Sequence, residues 1–149
     1  HDGRSGMKTL VITADDVKDG KYVGATKLDG FDGNLEIAAD LGFVYFRGSL
    51  RVTGYIRAEA GSGIKAGSGI KAGWGIEAGG GIEAGLAIAC KRELSVRLRV
   101  FAGTCIWKLA SEAERTVTCS QFVGGEVAYG CLVETEPASS PTEGLASGA

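Results

Sequence analysis

Apolar and polar residues alternate along the centre of the chain without interruption. From 44 to 106 the even-numbered positions are almost all apolar, small or glycine: Phe46, Val52, Ala58, Ala66, Ala72, Ala78, Ala84, Cys90, Val96 and Ala102. The odd positions carry Arg51, Arg57, Lys65, Lys71, Glu77, Glu83, Arg97 and Arg99. Such a period of two marks a half-buried strand. A second period, of six, lies over it. An aliphatic residue recurs at Ile64, Ile70, Ile76, Ile82, Ile88, Leu94, Val100 and Ile106, and upstream at Val44, Leu50 and Ile56. The step from Ile56 to Ile64 holds a two-residue insertion, which preserves the alternation.

One strand cannot run this far, since strands rarely exceed about 10 residues. The chain must turn every few residues while keeping its in/out phase. The wording Ile64-Lys-Ala-Gly-Ser-Gly and Ile70-Lys-Ala-Gly-Trp-Gly supplies the means. Ile-Lys-Ala is a three-residue strand, and Gly-x-Gly is a corner in which a positive φ is open to the backbone. Three sides close a coil of about 18 residues, and coils stack at strand spacing, about 4.8 Å. Stacking by 18, corrected for the insertion, sets Lys65 beside Glu83 and Arg57 beside Glu77, with Arg51 unfavourably beside Lys71. Its inward columns are Val44/Ile64/Ile82/Val100 and Leu50/Ile70/Ile88/Ile106, each buried aliphatic contributing about 1.5–3 kcal/mol.

The hexads resemble the hexapeptide-repeat left-handed β-helix family. Its pattern is an aliphatic residue, often glycine or an acid next, and a small residue four places on. Ile64/Ser68 and Ile82/Leu86 follow it, and Glu77 and Glu83 fit the second slot. The resemblance implies an all-β, single-stranded β-solenoid of about four 18-residue coils, left-handed in preference to right-handed. It also implies a place to look for chemistry. Acyltransferases of this family use a histidine as general base, and its carbonic anhydrases hold zinc with three histidines. Here the single histidine is His1, so neither activity carries over.

Outside the repeat the alternation changes phase. Leu35, Ile37, Ala39, Leu41 and Phe43 put the apolar set on odd positions, and residues 7–43 read as N-terminal cap strands feeding the solenoid at 44–108. After a charged loop, Val117, Cys119, Val123, Val127, Tyr129, Cys131 and Val133 alternate around Gly124-Gly125. The segment 109–134 therefore reads as a loop and a C-terminal β-hairpin. Residues 1–6 read as a vector-derived leader ahead of Met7, and 135–149 as a disordered tail rich in Ser, Pro, Gly and Ala.

Composition narrows the function. The chain has 149 residues, 25 of them glycine and 2 proline, and a formal net charge of −2. Glycines do not fall at every third place, so collagen is excluded, and the charge does not point to nucleic acid or an anionic membrane. No run reaches the roughly 18 apolar residues of a membrane span. No secretory leader is legible, so reduced thiols and a cytoplasmic location are expected. Cys90, Cys105, Cys119 and Cys131 lack C-x-x-C spacing, and no metal or cofactor is implied. Parity places Cys90, Cys119 and Cys131 inward and Cys105 outward.

Two features stand out. Trp74 takes an inward corner slot with Arg92 one coil later, an odd pair for a core; either the corner opens outward and the guanidinium stacks on the indole at the surface, or a pocket lies there, or the register is misassigned. Tyr45, Tyr55, Phe101 and Trp107 fall on outward parity, which calls for cover by the C-terminal hairpin, a homo-oligomer interface, or a saccharide-stacking wall. Glu77 and Glu83 sit on different sides of a triangular coil, so they read as solvated rather than as a catalytic pair. The expected protein is a non-enzymatic, self-associating scaffold or interaction module. The alternative is a binder of a small polar ligand or saccharide through Trp74, Arg92, Phe101, Trp107 and Tyr55.

Overall fold

A computed structural model describes residues 8–135. The leader expected at 1–6, and the tail expected at 135–149 apart from Thr135, lie outside the described residues. The strands are β1 (Lys8–Ile12), β2 (Val17–Lys18), β3 (Lys21–Tyr22), β4 (Asp29–Phe31), β5 (Gly33–Ile37), β6 (Gly42–Phe46), β7 (Leu50–Val52), β8 (Ile56–Ala58) and β9 (Ser62–Ala66). They continue with β10 (Ile70–Ala72), β11 (Ile76–Ala78), β12 (Ile82–Ala84), β13 (Ile88–Cys90) and β14 (Glu93–Ala102). The last three are β15 (Thr116–Cys119), β16 (Gln121–Tyr129) and β17 (Cys131–Glu134). The molecule is all-β, with mostly parallel strands in a nearly closed sheet, an architecture compatible with a β-solenoid.

Three parallel ladders build it. One runs β1-β5-β8-β11-β14, a second β3-β6-β9-β12-β14, and a third β4-β7-β10-β13-β15-β17. Strand β14 serves two ladders because its ten residues turn a corner at Arg97-Leu98-Arg99, where three successive residues are exposed. Partners in the repeat are 18 residues apart, as in Ile64↔Ile82 and Ile70↔Ile88, and 20 apart across the insertion, as in Ile56↔Ile76. The expected column Val44/Ile64/Ile82/Val100 is present and fully buried. Alanines form the companion columns, such as Ala58/Ala78/Val96. Large and small residues thus alternate along each short strand, which lets three walls meet around a narrow core.

The repeat glycines do something other than expected. Among the described residues the positive-φ glycines are 20, 30, 33, 42, 61, 103, 124 and 130, none of them a corner of the Ile-Lys-Ala hexads. Proximity explains the residue choice instead. A Cβ on Gly67, Gly73, Gly79 or Gly85 would stand 2.6, 2.2, 2.5 or 2.1 Å from a carbonyl oxygen of the preceding turn. A Cβ on Gly75 or Gly81 would meet a carbonyl of the following turn at 3.0 or 2.7 Å. The glycines let one corner lie directly on the next, and the same approach permits hydrogen bonds such as Gly73 N–H to Val52 O and Gly79 N–H to Ala58 O.

Beyond the repeat, the register extends the ladder through β1 and β5 and corrects three expectations: the column to Ile106, the hairpin at Gly124-Gly125 and the inward Cys131. Strands β1 and β5 join the same ladder as β8, so the segment expected as a cap is in parallel register with the repeat. The phase change falls where expected, between buried Ile37 and buried Val44, with Asp40 and Gly42 at positive φ. Buried Ser62 braces that turn: its hydroxyl donates to Ala38 O and accepts from Leu41 N–H.

At the other end, the column Leu50/Ile70/Ile88 continues to Val117 and not to Ile106. Ile106 and Trp107 belong instead to an excursion between Ala102 and Thr116, with Ile106 98% exposed. The chain leaves because Trp107-Lys-Leu-Ala-Ser offers no alternation, whereas Thr116-Val-Thr-Cys does.

Gly124-Gly125 is not a hairpin turn. Strand β16 runs through both glycines and pairs parallel with β14. The registers Val96↔Gly124 and Arg99↔Glu126 show β16 cutting the corner one residue shorter than β14 does. A Cβ there would strike Val96 O or Leu98 O, and Gly124 has a φ of 102°, so only glycine fits this inside track. Cys131 is also reassigned. It pairs with Thr116 while Leu132 pairs with buried Val117, which puts Leu132 on the inner parity and Cys131 on the outer.

Candidate functional site

Three of the five singled-out residues share one groove. On the β8/β11/β14 wall, Tyr55, Arg57, Trp74, Glu77, Arg92 and Glu93 line a depression of ≈ 630 Å³. Gly75 forms its floor, since the ladder there offers no side chain. Trp74 and Arg92 are stacked as the register demands: Trp74 N–H donates to Gly54 O, and Arg92 N–H to Trp74 O. The Arg92 Cζ lies 4.5 Å from the indole centroid, and Trp74 remains 38% exposed. Stacking at an outward-opening corner is therefore the arrangement, and the register stands. Tyr55 is covered likewise, with Arg57 Cζ 5.3 Å from its ring. Its hydroxyl donates to Glu36 Oε2, and that bond, with burial, raises the phenol pKa above its ordinary value.

Aromatic faces in this groove are thus overlaid by guanidinium groups. Arg57 is in turn paired with Glu77 at 3.4 Å. A sugar ring stacking on the face that Arg92 or Arg57 overlays would have to displace that cation first. The edge is better supplied. Arg92, Glu93, Ser95, Ser120 and Gln121 bring donors and acceptors to the rim.

Phe101 lies on a different wall. Strand β14 carries it between Glu83 of β12 and Tyr129 of β16. With Phe43, Leu98, Arg99 and Glu126 it borders a trough of ≈ 590 Å³. The Phe43 ring lies across Gly63, where an added Cβ would come within 2.8 Å of it, and reaches Gly81. Sequence reasoning misses Phe43, Leu98 and Glu126. By pattern Phe43 is only the end of the odd-parity set, and its role depends on bare glycines 20 and 38 residues later.

Trp107 stands apart again, 60% exposed on the excursion with Leu109 at 97%. Lys108 lies 5.6 Å from its ring and pairs with Glu114, whose carboxyl is held below the usual range by that lysine. Tyr45, Lys65 and Trp107 line a third depression. The aromatic stripe expected on one wall is therefore three separate features.

The chemistry available is limited. Desolvation pushes the Cys90 thiol up to about 12 and Cys119 up to about 11, so both stay protonated at neutral pH. Cys105, half-buried, donates to Lys108 O. Glu77 and Glu83 sit on different ladders and pair with Arg57 and Lys65 respectively. Among the described residues, no three His, Cys, Asp or Glu side chains gather as a metal cluster, and no helix is long and apolar enough to cross a membrane. Comparison with protein-family models, curated proteins and solved structures gives no match to this chain.

Proposed function

We propose that this chain is a non-enzymatic, left-handed β-solenoid of hexad repeats that self-associates and serves as a scaffold or interaction module. One observation carries the reading. Of the twelve exposed large hydrophobic residues among those described, eight fall at 98–133: Leu98, Ile106, Trp107, Leu109, Val123, Tyr129, Leu132 and Val133. Scattered apolar residues need no explanation, but Val123, Tyr129, Leu132 and Val133 lie together on the last two strands, and a gathered apolar surface of this kind marks a protein-contact surface. The central walls differ, carrying the ion pairs Arg57–Glu77 and Lys65–Glu83. Sedimentation equilibrium on the full chain tests the reading: a concentration-dependent mass above the monomer is expected, and a strict monomer sinks it.

A second reading, binding of a small polar ligand, is favoured by the convergence of Tyr55, Trp74 and Arg92 on one groove. Its recognition groups are the rim donors and acceptors rather than the covered rings. A panel of small sugars and carboxylates, followed by indole fluorescence, checks it. Saturable quenching that disappears in Trp74→Phe supports the reading, and a flat response across the panel removes it.

A further inference from the structure

The two ends of the strand stack are not alike. At the N-terminal end the two-residue β2 lies antiparallel on β3, covering the outer edge of that ladder, while β1 and β4 end the other two ladders with a described neighbour on one side only. A 3-10 turn at Ala14–Asp16 follows β1, closed by a capping box in which Asp16 accepts from Thr13 N–H. Asp15, Asp16, Lys18, Asp19 and Lys21 make this end strongly charged. Charge and an overlying strand are the devices that keep sheet edges from pairing.

Among the described residues, the C-terminal end has no overlying strand, and the charges on its outer strands are Glu126 and Glu134. Strand β16 pairs there with β14 alone and β17 with β15 alone. Thr135 N–H donates to Cys119 O, so by alternation the backbone groups of Leu132 and Glu134 turn to the open side. One exposed donor is capped, where Glu134 Oε2 accepts from Phe122 N–H. Phe122 and Val127 are half-buried against the core, and no described strand forms a further layer beneath them. Outside them Val123, Tyr129 and Val133 are exposed.

Resting on the self-association reading, we infer that the C-terminal edge of one chain docks on the C-terminal edge of a second copy across a twofold axis. A twofold axis perpendicular to the stack reverses strand direction, so β16 and β17 meet their counterparts antiparallel. If the axis passes through the β17 wall, β17 pairs with itself and the two halves of β16 pair with each other. Phe122, Val127 and Leu132 of both copies then close a continuous core.

The alternatives fit less well. Head-to-tail stacking would bring the second half of β16 against β2 and its charges, and would generate an open filament instead of a closed dimer. Residues 136–149 contribute both prolines, Pro137 and Pro141, and one large aliphatic, Leu145. That composition is poor material for a strand that must cover nine residues of β16.

The test is sedimentation equilibrium on the full chain, on Val123→Lys/Val133→Lys, on Val123→Thr/Val133→Thr and on Trp107→Ser. Both valines are exposed, so the lysine variant should keep the wild-type circular dichroism and melting temperature. The inference expects a dimer that does not grow further, retained in the threonine and Trp107→Ser variants. The lysine variant should raise its dissociation constant at least roughly a hundredfold through like charges set edge to edge. A dimer unaffected by the lysines, or lost only in Trp107→Ser, overturns the edge while leaving self-association intact. Open-ended growth overturns the twofold arrangement in favour of head-to-tail stacking. A monomeric wild type removes both this inference and the reading beneath it.

Discussion

The repeat between Ile64 and Leu86 and the turns after Ala102 are made of the same parallel ladders, yet they solve burial differently. In the repeat every strand has a neighbour on both sides, the Ile and Ala positions are buried, and lysine pairs with glutamate across turns. After Ala102 the phase resets, an excursion leaves the stack, and the final strands have a described neighbour on one side only. A residue that points inward is therefore not always a buried one. Ile76 is 1% exposed and Leu132, also on inner parity, is 39% exposed, because no described layer lies beneath it. Depth in the stack, more than side-chain type, sets what each position contributes.

Truncation should expose that contrast most strongly. Ile76→Ala leaves a cavity in a closed layer and should lose about 3–4 kcal/mol, whereas Leu132→Ala should lose less than about 1 kcal/mol. Urea unfolding of the two variants measures the difference, and equal losses would mean the last turn is as well packed as the middle.

The glycine corners give the next largest effect. Gly73→Ala would place a Cβ 2.2 Å from Thr53 O, while at Gly69 the nearest atom stands at 3.2 Å. The first should lose about 1–3 kcal/mol and the second well under about 1 kcal/mol. Thermal melts that rank them the other way would show that conformation, not proximity, selects these glycines.

The thiols divide along the same line. Cys90 and Cys119 share an inward, shielded position, and their pKa values are raised from 9.0 to about 12 and about 11. The native state therefore holds protons that the unfolded chain releases above pH 9. The stability this contributes is complete below about pH 9 and declines as pH rises through the folded-state values, by about 1 kcal/mol per thiol per unit at first. Cys90→Ala/Cys119→Ala should flatten that decline. In native protein at neutral pH a thiol reagent should label Cys105 and Cys131, which are partly exposed, and spare the other two.

The smallest effect belongs to the surface. Lys65→Gln breaks a 3.9 Å pair with Glu83, and should change stability by no more than about 0.5 kcal/mol, less at high salt. A larger loss would mean that the charged walls hold the turns together and do more than keep them soluble.

Much of the repeat is legible in the sequence alone. The columns through Val44 and Leu50 and the pairs Arg57–Glu77 and Lys65–Glu83 follow from the periods of six and two, because a parallel stack maps sequence spacing directly onto contact. The like charges Arg51 and Lys71 do sit side by side, and the resolution comes from Asp29 on the adjacent strand, which takes Arg51. The periodicity offers no hint of it, since β4 lies outside the repeat. Gly124-Gly125 misleads for a related reason. The same dipeptide suits a hairpin turn or a tight inside track, and local wording cannot separate them. The neighbouring strand's shape at Leu98 decides.

For the candidate surfaces, the sequence by itself determined that Trp74 and Arg92 are neighbours, because fixed register makes residues one turn apart meet. It determined that no histidine lies between residues 8 and 135. Only the tertiary structure decided that Tyr55 joins that pair, that Phe101 and Phe43 border one trough over bare glycines, and that Trp107 leaves the ladder. Only the tertiary structure also distinguished a charged N-terminal end, covered at one ladder by β2, from a more apolar C-terminal end with no overlying strand. Periodicity is a local property that repeats along the chain. Corners, excursions and ends depend on which strand is already there to be packed against, and that is settled only when the stack has formed.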